Sequence, residues 1–262
     1  MKYFIRLSYN GSDFSGWQIQ QNARSVQQEL ENAFATLLKE EIKIVGAGRT
    51  DSFVNAINYV AHTQINSPFP EKGEKKQYFI YKLNAILPLS IRVHNIFPVD
   101  EQSHARFDAI SRTYNYFITT YPDPFNSKFA YFVKEKNLDF EAMNLGAEYF
   151  IGEHDFKSLQ KVGSDNKTTI CTVTEAYWKK APQSPPFRSI DEGRYCFVVS
   201  ANRFLRNMVR AMVGSLLEVG QGKREPEWIA QMLEKKSRSC AGGSVPGNAL
   251  FLTNIEYPYK IK

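Results

Sequence analysis

The sequence predicts an α+β fold of two ferredoxin-like (β-α-β-β-α-β) lobes, with mostly antiparallel sheets flanking a central cleft. Three observations lead there. Alternating or β-branched segments interleave with two helical periodicities in the N-terminal part of the chain. The same order returns in the remainder with longer connections, and no low-complexity linker separates the halves. The predicted lobes are residues 1–105 and 106–262.

In the first lobe, "KYFIRLSY" (2–9) alternates and reads as a strand. "SVQQELENAFATLLKE" (25–40) puts Val26, Leu30, Ala33, Phe34, Leu37 and Leu38 on one helical face, and Ser25 with Gln28 forms a capping box. "EIKIVGA" (41–47) and "VNAINYVAHTQ" (54–64) are strands. "KKQYFIYKLNAIL" (75–87) is a helix with Phe79, Ile80, Leu83, Ile86 and Leu87 inward, stopped by Pro88; "IRVHNIFPV" (91–99) closes the lobe.

The second lobe opens with the strand "RTYNYFITT" (112–120), and 139–152 carries a helical pattern. Residues 167–180 and 193–204 read as a hairpin across the Pro-rich "APQSPPFRSIDEG". Residues 207–219 and 226–235 are helices, and "ALFLTNIEY" (249–257) is the last strand.

Composition narrows the class. The 262 residues are 43% hydrophobic and 23% charged, as in an ordinary globular protein. No apolar run approaches the ~18 residues of a membrane span, and no signal-peptide layout is seen, so a cytoplasmic protein without a membrane partner is expected. Cys171, Cys196 and Cys240 are too scattered for a disulfide frame or a zinc site. A net charge of +6 and a pI near 9.0 permit a polyanionic partner.

Chemistry concentrates in "GAGRTD" (46–51), where two glycines interrupt an apolar run and Arg49 and Asp51 follow. The "GAG" is too short for a dinucleotide fingerprint and leads towards a strand, and there is no phosphate-binding GK[ST]. His62, His94, His104 and His154 share no ligand spacing, and HExxH and CxxC are absent. Side-chain chemistry without cofactor or metal is therefore expected, with Asp51 the best-placed carboxylate for acid/base or nucleophilic work. The same residues also suit a plain turn with a surface ion pair.

"GAGRTD" followed by "VAH" (60–62) resembles the motif of the TruA family of tRNA pseudouridine synthases. The resemblance extends over "YNGSDFSGWQIQ" with "SVQQELENA" (9–33), "YKLNAILP" (81–88), "HARFDAISRTYNY" (104–116), "FLRNMVRAMVGSLLEVG" (204–220) and "YP" (257–258), nearly the whole chain. It implies isomerisation of uridine in tRNA to pseudouridine, with positions 38–40 of the anticodon stem–loop as target. It also implies an RNA-binding cleft, a homodimer and no cofactor. Asp51 becomes the nucleophile, Arg49 the cation that keeps it ionised, and Arg210 a second active-site arginine able to pair with it. Tyr114 becomes the stacking aromatic, although strand alternation alone does not separate it from Tyr116. Leu250 matches an apolar position near the base and equally suits plain core.

Arg203 and Arg206 share helical spacing with Arg210 and are candidates for phosphate contact, or are merely solvated. Lys2, Arg6, Arg24, Arg106 and Lys157 complete the basic candidates for RNA.

Two residues depart from the family pattern. After "GRTD" the family usually has a small residue and then Gly-Val-His-Ala; here Ser52-Phe53-Val54-Asn55-Ala56 stands. Phe53 would be strained if its φ is positive, and Asn55 keeps hydrogen bonding but loses a titratable ring. These changes keep a second reading open, a non-catalytic or retargeted RNA-binding paralogue. A carboxylate enzyme acting on a small nucleoside is disfavoured by the basic charge and the missing phosphate loop.

Overall fold

In the computed structural model, which describes residues 1–124, 127–164, 166–181 and 193–261, the alternating N-terminal segment forms β1 (Lys2–Tyr9). Ile5, Leu7 and Tyr9 are buried, with the half-buried Arg6 and Ser8 between them. Helix α1 (Val26–Leu38) starts where Ser25 Oγ accepts the Gln28 N–H at 3.3 Å, and ends at Lys39 in the left-handed region. Its Val26, Leu30, Ala33 and Phe34 are buried, each large side chain worth roughly 1.5–3 kcal/mol. Leu37 and Leu38 are only half-buried.

β2 is confined to Ile44–Gly46 and pairs antiparallel with β3 (Asn55–Gln64). Helix α2 (Gly73–Ile86) buries Ile80 and Leu83, but Ile86, expected inward, is 45% exposed at the helix's last position. β4 (Ile91–Pro98) pairs antiparallel with β1. A bulge shifts the register between Arg6↔Asn95 and Leu7↔Val93. Asn84 of α2 secures it, accepting the Val93 N–H at 2.8 Å and donating to the Val93 carbonyl at 2.9 Å.

The chain divides into a first unit, Met1–Ser111 with Leu252–Lys262, and a second, Arg112–Phe251. This corrects the expected division at 105/106: the last strand, β10 (Leu250–Glu256), neighbours β3, so the C-terminal residues join the first unit. The Glu256 carbonyl accepts the Ile110 N–H at 2.8 Å, and Tyr257 Oη donates to the Ala105 carbonyl at 2.6 Å. Tyr257 also packs against Phe4 with ring centroids 5.6 Å apart. The sheet of the first unit runs β4-β1-β3, with β2 and β10 both against β3.

In the second unit β5 (Ser111–Thr119) pairs antiparallel with β9 (Arg194–Ala201), β9 with β8 (Ile170–Lys180), and β8 with β7 (Gly152–Asp155). The two-residue β6 (Tyr131–Phe132) runs parallel to β5. Helix α3 (Phe140–Glu148) packs on β8 and on α4 (Met208–Gly220), and α5 (Trp228–Glu234) packs on α3. The helical pattern expected over 139–152 therefore stops early, at Glu148, and Gly152 at φ +112 already begins β7. Of the predicted Pro-rich connection, residues 182–192 lie outside those described. Among the described residues no helix is long and apolar enough to cross a membrane.

Candidate active site

The "GAGRTD" segment leaves β2 under an aromatic cluster of Tyr9, Trp17 and Tyr59, with Trp17 and Tyr59 centroids 4.3 Å apart. Gly46 belongs here because a Cβ would lie 2.1 Å from Tyr59 Oη and 2.5 Å from the Trp17 ring. Tyr59 Oη then donates to the Gly48 carbonyl and accepts the Gly48 N–H at 3.4 Å. Thr50 is buried, its hydroxyl 2.9 Å from Tyr9 Oη. The Asp51 carbonyl accepts the Val54 N–H at 3.2 Å, so the segment is a turn in its backbone while Asp51 itself is half-buried.

A second loop, residues 10–18, clasps this turn at four points. The Gly11 N–H donates to Asn55 Oδ1 at 2.9 Å. The Phe53 N–H donates to the Phe14 carbonyl at 3.2 Å, and the Trp17 N–H to the Thr50 carbonyl at 3.3 Å. Arg49 Nε donates to Gln18 Oε1 at 3.0 Å, which fixes an otherwise exposed guanidinium. Gly16, at φ +100, allows the approach: a Cβ there would stand 2.3 Å from the Thr50 carbonyl oxygen.

Sequence reading assigned no role to the side chains of the 10–18 loop and missed this clasp. The signal available was its pair of glycines, Gly11 and Gly16, beside Phe14 and Trp17, which marks close backbone approach.

Both departures from the family pattern are now placed. Phe53 has φ +69 and is 53% exposed, so the residue bears the strain anticipated for it. Asn55 is 2% exposed and acts as the anchor of the Gly11 amide.

In the second unit Tyr114 faces Val199 across the ladder, half-buried, with the Phe204 ring edge-on at 5.1 Å and 87°. Tyr116 is fully buried and donates to the Pro246 carbonyl at 2.9 Å; burial pushes its phenol well above the usual range. The two tyrosines therefore divide: Tyr116 is core, and Tyr114 is the more accessible ring.

Arg210 lies in the first turn of α4, its Nε donating to the Val245 carbonyl at 2.7 Å, while the Val245 N–H donates to the Arg210 carbonyl at 3.3 Å. Leu250 is 5% exposed at the start of β10. The expected helical register of Arg203, Arg206 and Arg210 does not exist. Asn207, at φ +71, begins the helix, so Arg203 and Arg206 precede it and share no helical face with Arg210. The Arg206 carbonyl accepts the Lys161 N–H at 3.0 Å.

Of the remaining basic candidates, Arg24 is held by Glu29 at 2.5 Å and lies over the Phe14 ring at 5.2 Å. Arg106 lies 5.8 Å from the Phe107 centroid, and Lys2 Nζ donates to the Glu101 carbonyl. Lys157 is exposed, and Arg6 Nε donates to Asn58 Oδ1 at 2.8 Å.

Comparison with known proteins places this arrangement. Residues 147–258 match the family profile described as tRNA pseudouridine synthase. The chain is 44% identical over 261 residues to tRNA pseudouridine synthase A of Parabacteroides distasonis, covering 99% of this chain and 97% of that protein. It is 44% identical over 262 residues to the same-named protein of Bacteroides fragilis, covering 99% and 98%. With tRNA pseudouridine synthase A 2 of Clostridium perfringens it shares 37% over 255 residues, covering 97% and 98%. At such identity over the full length, the chain belongs to the tRNA pseudouridine synthase A (TruA) family of isomerases.

Proposed function

We propose that this protein converts uridine to pseudouridine in the anticodon stem–loop of tRNA, at positions 38–40, as a cytoplasmic homodimer with Asp51 as nucleophile. The N1–C1′ bond breaks, the base turns, and a C5–C1′ bond forms. The proton lost from C5 is matched by one gained at N1, so the product is an isomer of the substrate. An Asp51 oxygen bonds to C1′ as the N1–C1′ bond breaks, and is displaced from C1′ when C5 bonds there, returning the carboxylate unchanged.

Arg49, held by Gln18, supplies a fixed cation two residues from that carboxylate. Tyr114 offers a face to the extruded base, replacing the stacking lost when it leaves the helix. Arg210 is the second cation of the reaction, and Leu250 an apolar contact for the base. Arg24, Arg106, Arg203 and Arg206 serve the RNA backbone.

The observation that supports this reading is the four-point clasp on the turn carrying Asp51. A nucleophile must be held in position, and this turn is fixed on both sides of Asp51. The paralogue reading drew on Phe53 and Asn55, and Asn55 now has a scaffolding role compatible with catalysis.

The test is pseudouridine mapping of unmodified tRNA transcripts with wild type and Asp51→Ala. Product at 38–40 with wild type alone is expected. Product elsewhere would keep the chemistry and move the target. No product, with tRNA binding intact, would favour the paralogue.

A further inference from the structure

Two surface cavities of similar size on the first unit differ in charge. One of about 620 Å³ is lined by Asp100, Glu101, Gln102, Ser103 and Asp108, and would repel a polyanion. The other, about 570 Å³, is lined by Arg6 from β1, Ile57 and Asn58 from β3, His94 and Asn95 from β4, and Gln77 from α2. No carboxylate is among these lining residues.

This second cavity is built around an oriented arginine. Arg6 Nε donates to Asn58 Oδ1 at 2.8 Å, and Asn58 Nδ2 donates in turn to Asn254 Oδ1 at 3.4 Å. Asn254 reaches Glu256 Oε1 at 3.3 Å, so along this hydrogen-bonded chain the first acid is two amides away from the guanidinium. With Nε committed, the two Nη groups of Arg6 are the donors left for a ligand. The bulge between Arg6 and Leu7 leaves His94 without a ladder partner, and its Nε2 lies 2.9 Å from Ser8 Oγ. Desolvation first, then the charges of Arg92 and Arg6, hold the His94 imidazole below its usual pKa.

A planar guanidinium among neutral amides matches the paired oxygens of a phosphate, and a shallow, open position suits a polymer backbone better than an enclosed small molecule. We propose that this cavity binds a phosphodiester of the RNA backbone, with Arg6 as its cation and Asn58 as the positioning residue that aims it. The inference rests on the tRNA reading above. Asn58 stands on the strand that continues from the Asp51 turn, so a phosphate held here fixes the register of the RNA relative to that turn.

The test uses the full chain and an unmodified tRNA transcript, with Kd measured by fluorescence anisotropy across a salt series. Arg6→Gln should weaken binding about 3- to 10-fold near 0.15 M salt and reduce the slope of log Kd against log salt by roughly 0.7–0.9, one phosphate contact. Arg6→Lys should recover part of the slope, and Asn58→Ala should lower affinity less.

An unchanged slope for Arg6→Gln, at wild-type melting temperature, overturns the proposal. If Arg6→Gln does not fold, wild-type slopes for both Arg6→Lys and Asn58→Ala overturn it. Arg6-dependent calorimetric binding of inorganic phosphate, with the tRNA slope unchanged, would make this a free-phosphate site and also overturn it. An Arg6-dependent slope without pseudouridine formation refutes only the catalytic reading, whereas a wild type that binds no tRNA refutes both.

Discussion

The side-chain oxygen of Asn55 accepts the backbone N–H of Gly11 at 2.9 Å, with both residues buried. Where the family usually has a histidine, this chain uses an amide to tie the 10–18 loop to the turn carrying Asp51. Asn55→Ala leaves a buried N–H without its acceptor, at a cost of about 1–3 kcal/mol. A melting curve should show a loss of about 2–4 °C per kcal/mol. Pseudouridine formation should fall more than tRNA affinity, because the turn loses an anchor. An unchanged melting temperature would count against the anchoring role.

Phe53 separates backbone strain from side-chain contact. Its φ of +69 is disfavoured for any residue with a Cβ, and its ring is largely in solvent. Phe53→Ala and Phe53→Gly both delete the ring, but only glycine relieves the backbone. We expect Phe53→Gly to be more stable than Phe53→Ala by about 1 kcal/mol in urea unfolding. Equal stabilities would mean the turn relaxes on its own.

The two tyrosines of β5 should respond oppositely. Tyr116→Phe removes the hydrogen bond to the Pro246 carbonyl and should cost about 1 kcal/mol of stability, while turnover by the folded enzyme is nearly unchanged. Tyr114→Ala should lower turnover at least about 10-fold, the loss of one base-stacking face at 1–3 kcal/mol. Single-turnover assays beside thermal melts separate the two. A turnover loss confined to Tyr116→Phe would reverse the assignment.

Acid should destabilise the first unit through His62. The imidazole is 8% exposed, lies edge-on to His104 at 4.5 Å, and accepts the Ala105 N–H on Nδ1 at 3.2 Å. Burial first, then the His104 and Lys2 charges, push its pKa down to about 4. Unfolded, it titrates near 6.5. A depressed base keeps its full stabilising effect above the unfolded pKa. That effect is lost as pH falls from about 6.5 towards 4, because the unfolded chain takes up the proton first. His104, also lowered mainly by burial, acts in the same direction. Urea midpoints should fall between pH 7.5 and pH 5, and His62→Gln should flatten that dependence.

Much of the architecture was legible because periodicity carries it. The strand read at 2–9 matches β1 residue for residue, since the alternation of "IRLSY" (5–9) is written directly in the sequence. β7 left no such mark: "GEHD" has no alternation, and its place is set by pairing with β8. The three-arginine face failed for a local reason, the left-handed Asn207, which spacing alone cannot reveal. Within the site, Arg49 and Asp51 stood out by residue type. Gln18 did not, because its importance lies in a partner distant in sequence, and Asn55 stood out only as a departure from the family pattern, with its distant partner Gly11 unseen.

The placement of β10 has a consequence for biosynthesis. Strand β10 completes the sheet of the unit that begins at Met1, yet a ribosome makes it after residues 112–249. Until then the nascent first unit lacks the strand that flanks β3, and that edge can pair with another chain. Late closure of this kind makes the interval before β10 emerges the time when chaperone protection matters most.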